Sequence, residues 1–193
     1  MSTFGVNAMA MNLFQDWQKA QEEGPESKKR PQLQQWCKPP PGWIKINIDA
    51  SCRVDYDFIG AGCVVWDDNG CFVRARTCRI GGRMQAKEGE ARSLREALIW
   101  IRQWRSLKCI FEMDVKAVVD AIHGGSGNSI FHTIVDDCVK ILKHFEEVLI
   151  VFTRRSANKV AHSLAQATYF MPDPMEWLDI APDFICNVIK DES

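Results

Sequence analysis

The sequence predicts an α/β domain: a five-stranded mixed sheet flanked by helices, with three antiparallel strands first and β-α alternation after them. Three observations predict it. From Ile44 to Asp49, apolar and polar residues alternate with the period of a strand, and two further strand-like segments follow up to Ile80. Asp67-Asp68-Asn69-Gly70 separates those two segments with the residues of a hairpin turn. Beyond residue 86, helical periodicity alternates with short β-branched runs, which lays helices over a partly parallel sheet.

The elements follow in order. Residues 1–42 read as a short helix and a linker. Leu13, Phe14, Trp17 and Ala20 share one stripe of an amphipathic stretch over 9–22, Gly24-Pro25 stops it, and five of the eight prolines lie between Pro25 and Pro41. The domain proper spans 43–170. In its first strand Ile44, Ile46 and Ile48 alternate with Lys45, Asn47 and Asp49, with Asp49 at the carboxyl end. Gly60–Trp66 and Cys71–Ile80 form the hairpin, whose Asn-Gly supplies positive φ angles. Over 87–106, at about 100° per residue, Glu90, Leu94, Ala97, Leu98 and Ile101 share one helical face, and Arg92, Arg95 and Arg102 share the other. Lys108–Asp114 is a strand, Val115–His123 a helix ended by Gly124-Gly125, and Ser129–Phe145 a helix with an Ile130, Ile134, Cys138, Ile141 and Leu142 stripe. Val148–Thr153 is the fifth strand and Ala157–Phe170 the last long helix. Residues 171–193, with three prolines, form a tail that packs as an appendage.

Composition narrows the function. With 193 residues, 46% of them hydrophobic and 25% charged, the chain suits one globular domain with extra length, not a disordered one. No apolar run approaches the roughly 18 residues of a membrane span, and Met1–Phe14 lacks a signal peptide's basic start and long apolar core. The eight cysteines show neither a CxxC nor zinc spacing, so they read as small hydrophobes in a reducing compartment. The expected location is therefore intracellular, nuclear or cytoplasmic, and not secreted; no membrane partner and no small-molecule cofactor are expected, and a monomer is favoured. Ser27-Lys28-Lys29-Arg30 is either a short nuclear signal or a solvated linker. His123-Gly124-Gly125-Ser126-Gly127 lacks the Gly-Lys-Ser/Thr of a phosphate loop and reads as a connection. Trp100 and Trp104, four apart, suit packing better than base stacking. The net charge of -1 conceals a basic block, because residues 74–108 carry 10 Lys+Arg against 3 Asp+Glu. Its Arg92 and Arg95 are candidates for phosphate contact.

Three acids occupy positions where acids are costly. Asp49 and Asp114 close strands, and Glu90 lies on the apolar stripe of a helix. Ligands of such sheets bind beyond the carboxyl ends of the parallel strands. Parallel neighbours there would set Asp49 and Asp114 about 5 Å apart, with Glu90 above them. Each pair of anions at about 5 Å repels by on the order of 3 kcal/mol at an effective dielectric of about 20. Divalent cations that prefer hard oxygen donors offset this, so Mg²⁺, or Mn²⁺, fits. Two such ions steady the attacking and leaving oxygens of an in-line phosphoryl displacement. Singly, each acid also has a plain structural reading: Asp49 as a strand end, Asp114 as a helix N-cap, and Glu90 as a first-turn carboxylate.

Trp43-Ile44-Lys45-Ile46-Asn47-Ile48-Asp49-Ala50-Ser51, Glu88-Gly89-Glu90-Ala91, Phe111-Glu112-Met113-Asp114 and the Arg154–Gln166 segment together resemble the type 1 ribonuclease H domain, in its plant branch related to retrotransposon reverse transcriptases. The resemblance spans about 43–170. It implies a ribonuclease H-like fold and Mg²⁺-dependent endonucleolytic cleavage of the RNA strand of an RNA–DNA hybrid. It implies Asp49, Glu90 and Asp114 as metal ligands and catalytic residues, and Ser51 and Asn158 beside the nucleic acid. Two positions depart from the family: Ala50 stands where glycine is frequent, and His162 stands where the family has its fourth carboxylate. His162 then acts as a ligand or proton carrier, or is a surface residue. The alternative function is a nucleic-acid-binding module derived from such a nuclease.

Overall fold

The computed structural model describes Gln15 and residues 36–104, 108–125 and 127–192. The helix expected over 9–22 and most of the expected linker lie outside the described residues. β1 (Trp43–Cys52), β2 (Phe58–Trp66) and β3 (Phe72–Gly81) form the antiparallel meander. The β2–β3 turn differs from the Asn-Gly expectation, because only Gly70 has positive φ, at 84°. Asp67 N–H donates to the Cys71 carbonyl, while the Asp67 side chain accepts from Asn69 and Cys71 N–H. This three-residue loop needs one left-handed residue rather than two.

β4 (Lys108–Met113) runs parallel to β1, and β5 (Glu147–Phe152) runs parallel to β4. The sheet has six strands in the order β5-β4-β1-β2-β3-β6, so β1 sits where its parallel and antiparallel parts meet. The sixth strand corrects the expectation of five. β6 (Met175–Leu178) comes from the tail and pairs antiparallel with Arg74–Thr77 of β3. At four residues, with both faces partly wet, it offers almost no period-two signal. It covers an edge of β3 that would otherwise expose unpaired backbone groups.

On one face of the sheet lie α1 (Ala86–Ile101), α2 (Lys116–Gly124) and α3 (Ile130–Leu142). Ile46, Ile48, Val65 and Phe111 meet Leu94, Leu98, Val118 and Val135 there in the main core. Glu88 accepts from Gln85 N–H at the start of α1, and Ser129 accepts from His132 N–H at the start of α3. On the other face lies α4 (Lys159–Ala167), preceded by a 3-10 turn over Arg155–Ala157. α5 (Asp183–Glu192) packs on α4, so the tail is part of the domain rather than an appendage. Glu192 accepts from Lys159 N–H at 2.7 Å and Val160 N–H at 3.3 Å, which satisfies two orphan donors at the start of α4.

α4 descends onto the sheet at glycines. A Cβ on Gly62 would lie 2.3 Å from the Ala165 nitrogen and 2.4 Å from the Ala161 carbonyl oxygen. Gly62 is also the cross-strand partner of Asp49. The missing side chain therefore lets α4 approach beside Asp49 and delivers the residue after Ala161, which is His162.

β1 is buried on both faces. Its polar set, Lys45, Asn47 and Asp49, is as buried as its isoleucines. Lys45 Nζ sits 2.7 Å from Glu112 Oε1, and Asn47 Nδ2 donates to Glu112 Oε2 and Asn158 Oδ1. Asn47 Oδ1 accepts from the indoles of Trp36 and Trp66. Asn158 donates to the Ile48 carbonyl at 2.9 Å, closing the network one residue before Asp49.

Candidate metal centre

The parallel register of β1 and β4 runs to Ile48↔Met113, so Asp49 and Asp114 come next on adjacent strands. β1 continues to Cys52, which places Asp49 inside the strand rather than at its end. Glu90 reaches the pair from the second turn of α1. Gly89, beside it, allows that approach, because a Cβ there would lie 2.5 Å from Ile59 Cδ1. Carboxylate oxygens of Asp49, Glu90 and Asp114 all lie within 4.8 Å of one another.

The plain structural readings of these acids are not what the fold uses. Val115, not Asp114, occupies the N-cap of α2, and Asp114 instead faces Arg155 at 3.9 Å. Glu88, not Glu90, is the first-turn acid of α1. Burial pushes the Glu90 carboxyl up to about 9, and the charges of Asp49 and Asp114 push the same way against a hydrogen bond from the Ala50 backbone. Burial also raises Asp49 to about 6, opposed by its hydrogen bond with His162. Glu90 Oε2 is buried with no hydrogen-bond partner among the described residues. An orphaned buried oxygen in a cluster of hard, anionic oxygen donors fits a divalent cation of the Mg²⁺ class.

His162 Nδ1 is 2.6 Å from Asp49 Oδ2. The carboxylate only accepts, so Nδ1 carries the proton, and the single lone pair of Nε2 faces Gln166 Nε2 at 2.9 Å, while Arg155 Nη2 lies 2.9 Å from Nε2 and 3.1 Å from Nδ1, against the ring. His162 is thus held in the site by three partners and is not a free surface residue.

The nucleic-acid candidates scatter. Ser51 lies beside the cluster, and its carbonyl accepts from the Tyr169 hydroxyl. Asn158 is buried, with its amide spent on Ile48 and Asn47, and so faces inward instead of toward a ligand. Arg92 approaches the Gly81 carbonyl, and Arg95 pairs with Glu96 on the side of α1 toward Asp137. Neither arginine contacts the carboxylates. Arg155 and Gln166, which flank His162, fall within the Arg154–Gln166 segment that carries the resemblance but received no role from it. Arg53 and Tyr169 carried no signal, since only the fold brings them together.

The fold and this carboxylate cluster are of the ribonuclease H-like kind. The family described as "Reverse transcriptase-like" matches residues 47–168, and the chain belongs to it. An Arabidopsis thaliana protein named "Putative ribonuclease H protein" is 24% identical over 159 residues, 82% of this chain. The chain spans about a quarter, 26%, of that relative's length. Ribonuclease H1 of the archaeon Halobacterium salinarum superposes with a TM-score of 0.60 at 19% identity, over 66% of this chain and 98% of that one. The N-terminal ribonuclease H domain of a Mycobacterium tuberculosis protein gives 0.58 at 20% identity, over 65% and 91%. LC11-RNase H1 in complex with an RNA/DNA hybrid gives 0.52 at 17% identity, over 64% and 94%.

Proposed function

We propose that this chain hydrolyses the RNA strand of RNA–DNA hybrids, with Asp49, Glu90 and Asp114 holding Mg²⁺ or Mn²⁺. The observation that carries the reading is the buried three-carboxylate cluster with one oxygen of Glu90 unpartnered. The hybrid-bound relative supports the substrate class, and the Arabidopsis relative fits the plant branch. Two ions held by such a cluster supply an activated water and a stabilised leaving oxygen when bound.

The chain's own residues have definite tasks. Asp49 is oriented by His162 through Oδ2 beside Glu90 and Asp114. Arg155 brings positive charge within 3.9 Å of Asp114 and lies where a phosphate would approach. His162 Nε2, once released by Gln166, can take a proton at the rim of the site. Selection of the hybrid rests on its shape and the RNA 2′-hydroxyl rather than on base sequence.

A second reading, a hybrid-binding module without cleavage, is favoured by His162, because a neutral imidazole binds Mg²⁺ more weakly than the carboxylate it replaces. A labelled hybrid with Mg²⁺ or Mn²⁺ decides between the two. We expect cleavage by the wild type and at least about a 100-fold loss in Asp114→Asn, on the scale of removing one stabilising group at a reacting centre. Binding by both without cleavage leaves only the binding module. Equal cleavage by both places the chemistry elsewhere. A large gain in His162→Asp measures what the histidine costs.

A further inference from the structure

Beside the carboxylates lies a groove of about 510 Å³, lined among others by Ser51, Arg53, Arg155, Gln166, Tyr169 and Phe170. Its outer wall is an aromatic stack tipped by a cation. The Arg53 guanidinium sits 5.7, 5.1 and 5.8 Å from the ring centroids of Tyr56, Tyr169 and Phe170, and it has no carboxylate partner among the described residues. Tyr169 is buried, and its hydroxyl bonds the Ser51 carbonyl. Phe170 is 78% exposed at the mouth of this polar groove, so its ring is free to take a ligand.

Phe170 is also held in place. Arg79 Nη2 donates to the Thr168 and Met171 carbonyls, which straddle it, each at 2.9 Å. The same guanidinium packs on Phe58 at 4.8 Å, and Phe58 stacks on Tyr169. Arg79 thus fixes both the backbone around Phe170 and the stack behind it. An exposed aromatic on a rigid mount, next to an unpaired cation, is the arrangement that takes an unstacked base and its phosphate.

We propose that this groove is a subsite for an unpaired nucleotide, so that the domain engages a hybrid where it meets a single strand. The base stacks on Phe170 and the adjacent phosphate meets Arg53. Bases inside a duplex are hidden and could not use the ring. Asp49 and Arg53 are four residues apart, so their Cα atoms lie at most about 14 Å apart, on the order of four base steps at about 3.4 Å each before the reach of the two side chains is added. The unpaired nucleotide therefore lies within a few steps of the phosphate at the carboxylates. The subsite rests on the hybrid reading above, and its test separates the two.

The probes are a blunt RNA–DNA hybrid, the same hybrid with a three-nucleotide single-stranded extension at each end in turn, and a single-stranded oligonucleotide alone. Binding is followed by fluorescence anisotropy in Ca²⁺. We expect one extension to tighten binding about 5- to 150-fold, the range of one aromatic–base stack. Phe170→Ala should erase that gain and leave the blunt hybrid unaffected, Phe170→Trp should keep it, and Arg53→Gln should lower the salt slope for the extended hybrid by about one. A gain that survives Phe170→Ala and Arg53→Gln, or no gain at any end, overturns the subsite. If no hybrid binds, the hybrid reading fails alone. Single-strand binding that depends on Phe170 and Arg53 then supports the subsite, and binding that does not depend on them overturns it.

Discussion

Glu90 makes the strongest statement any single residue makes about this site. Its carboxyl titrates near 9 in the folded chain against an ordinary 4.5. Between those values the unfolded chain has lost a proton that the folded chain keeps, so metal-free stability falls as pH rises from about 4.5 to 9. Asp49, raised from 3.8 to about 6, adds to the fall at the acid end. Thermal melts in chelator should show a Tm that drops across this window, a flatter profile in Glu90→Gln, and recovery on adding Mg²⁺, which binds the ionised form. A flat wild-type profile would mean that the acid is not buried as described. A second residue-scale expectation concerns Lys45. Lys45→Met leaves Glu112 charged and buried, at about 3–5 kcal/mol, whereas Lys45→Met with Glu112→Leu should recover most of it, read by urea unfolding. The three carboxylates were legible in the sequence because acids at strand ends and on an apolar stripe break the pattern around them. The Lys45–Glu112 pair was not, because both residues sit in strands whose alternation equally suits a wet face.

Among the elements, α4 shows how a substitution outside the site can disarm it. It touches the sheet through Gly60 and Gly62, and its first turn is capped from α5 by Glu192. Gly62→Ala sets a methyl against the α4 backbone, where nothing flexible can give. Denaturant curves should show a loss of about 1–3 kcal/mol, and the helix should lift His162 from Asp49, lowering activity beyond what stability explains. An unchanged His162 environment by NMR would defeat this account. The α4 helix itself was plain from its period, but its cap was not, since Glu192 lies 33 residues from Lys159. β6 escaped for a related reason: four residues pairing with an edge carry too little local pattern to announce a strand.

For the molecule as a whole, charge is arranged by the fold rather than by the sum. The basic block over 74–108 does not face one way. Arg74 and Arg76 lie against Trp104 and Trp100, and Arg79 is spent on the chain after α4. Arg155 faces Asp114 and Arg53 stands on the wall of the adjoining groove instead, and both come from outside the block. Hybrid affinity should still fall with salt, with a log–log slope of about −2 or steeper for two or three phosphates, and should weaken without a divalent ion, because bare carboxylates repel phosphate. Affinity indifferent to salt would refute electrostatic docking. One small cluster also joins parts of the chain that lie far apart in sequence. Trp36, ahead of β1, and Val188 and Ile189 of α5 pack into it on the α4 face. Emptying it therefore loosens the segment before β1 and α5 together, whereas Ile48 and Met113, beside the carboxylates, pack in the main core.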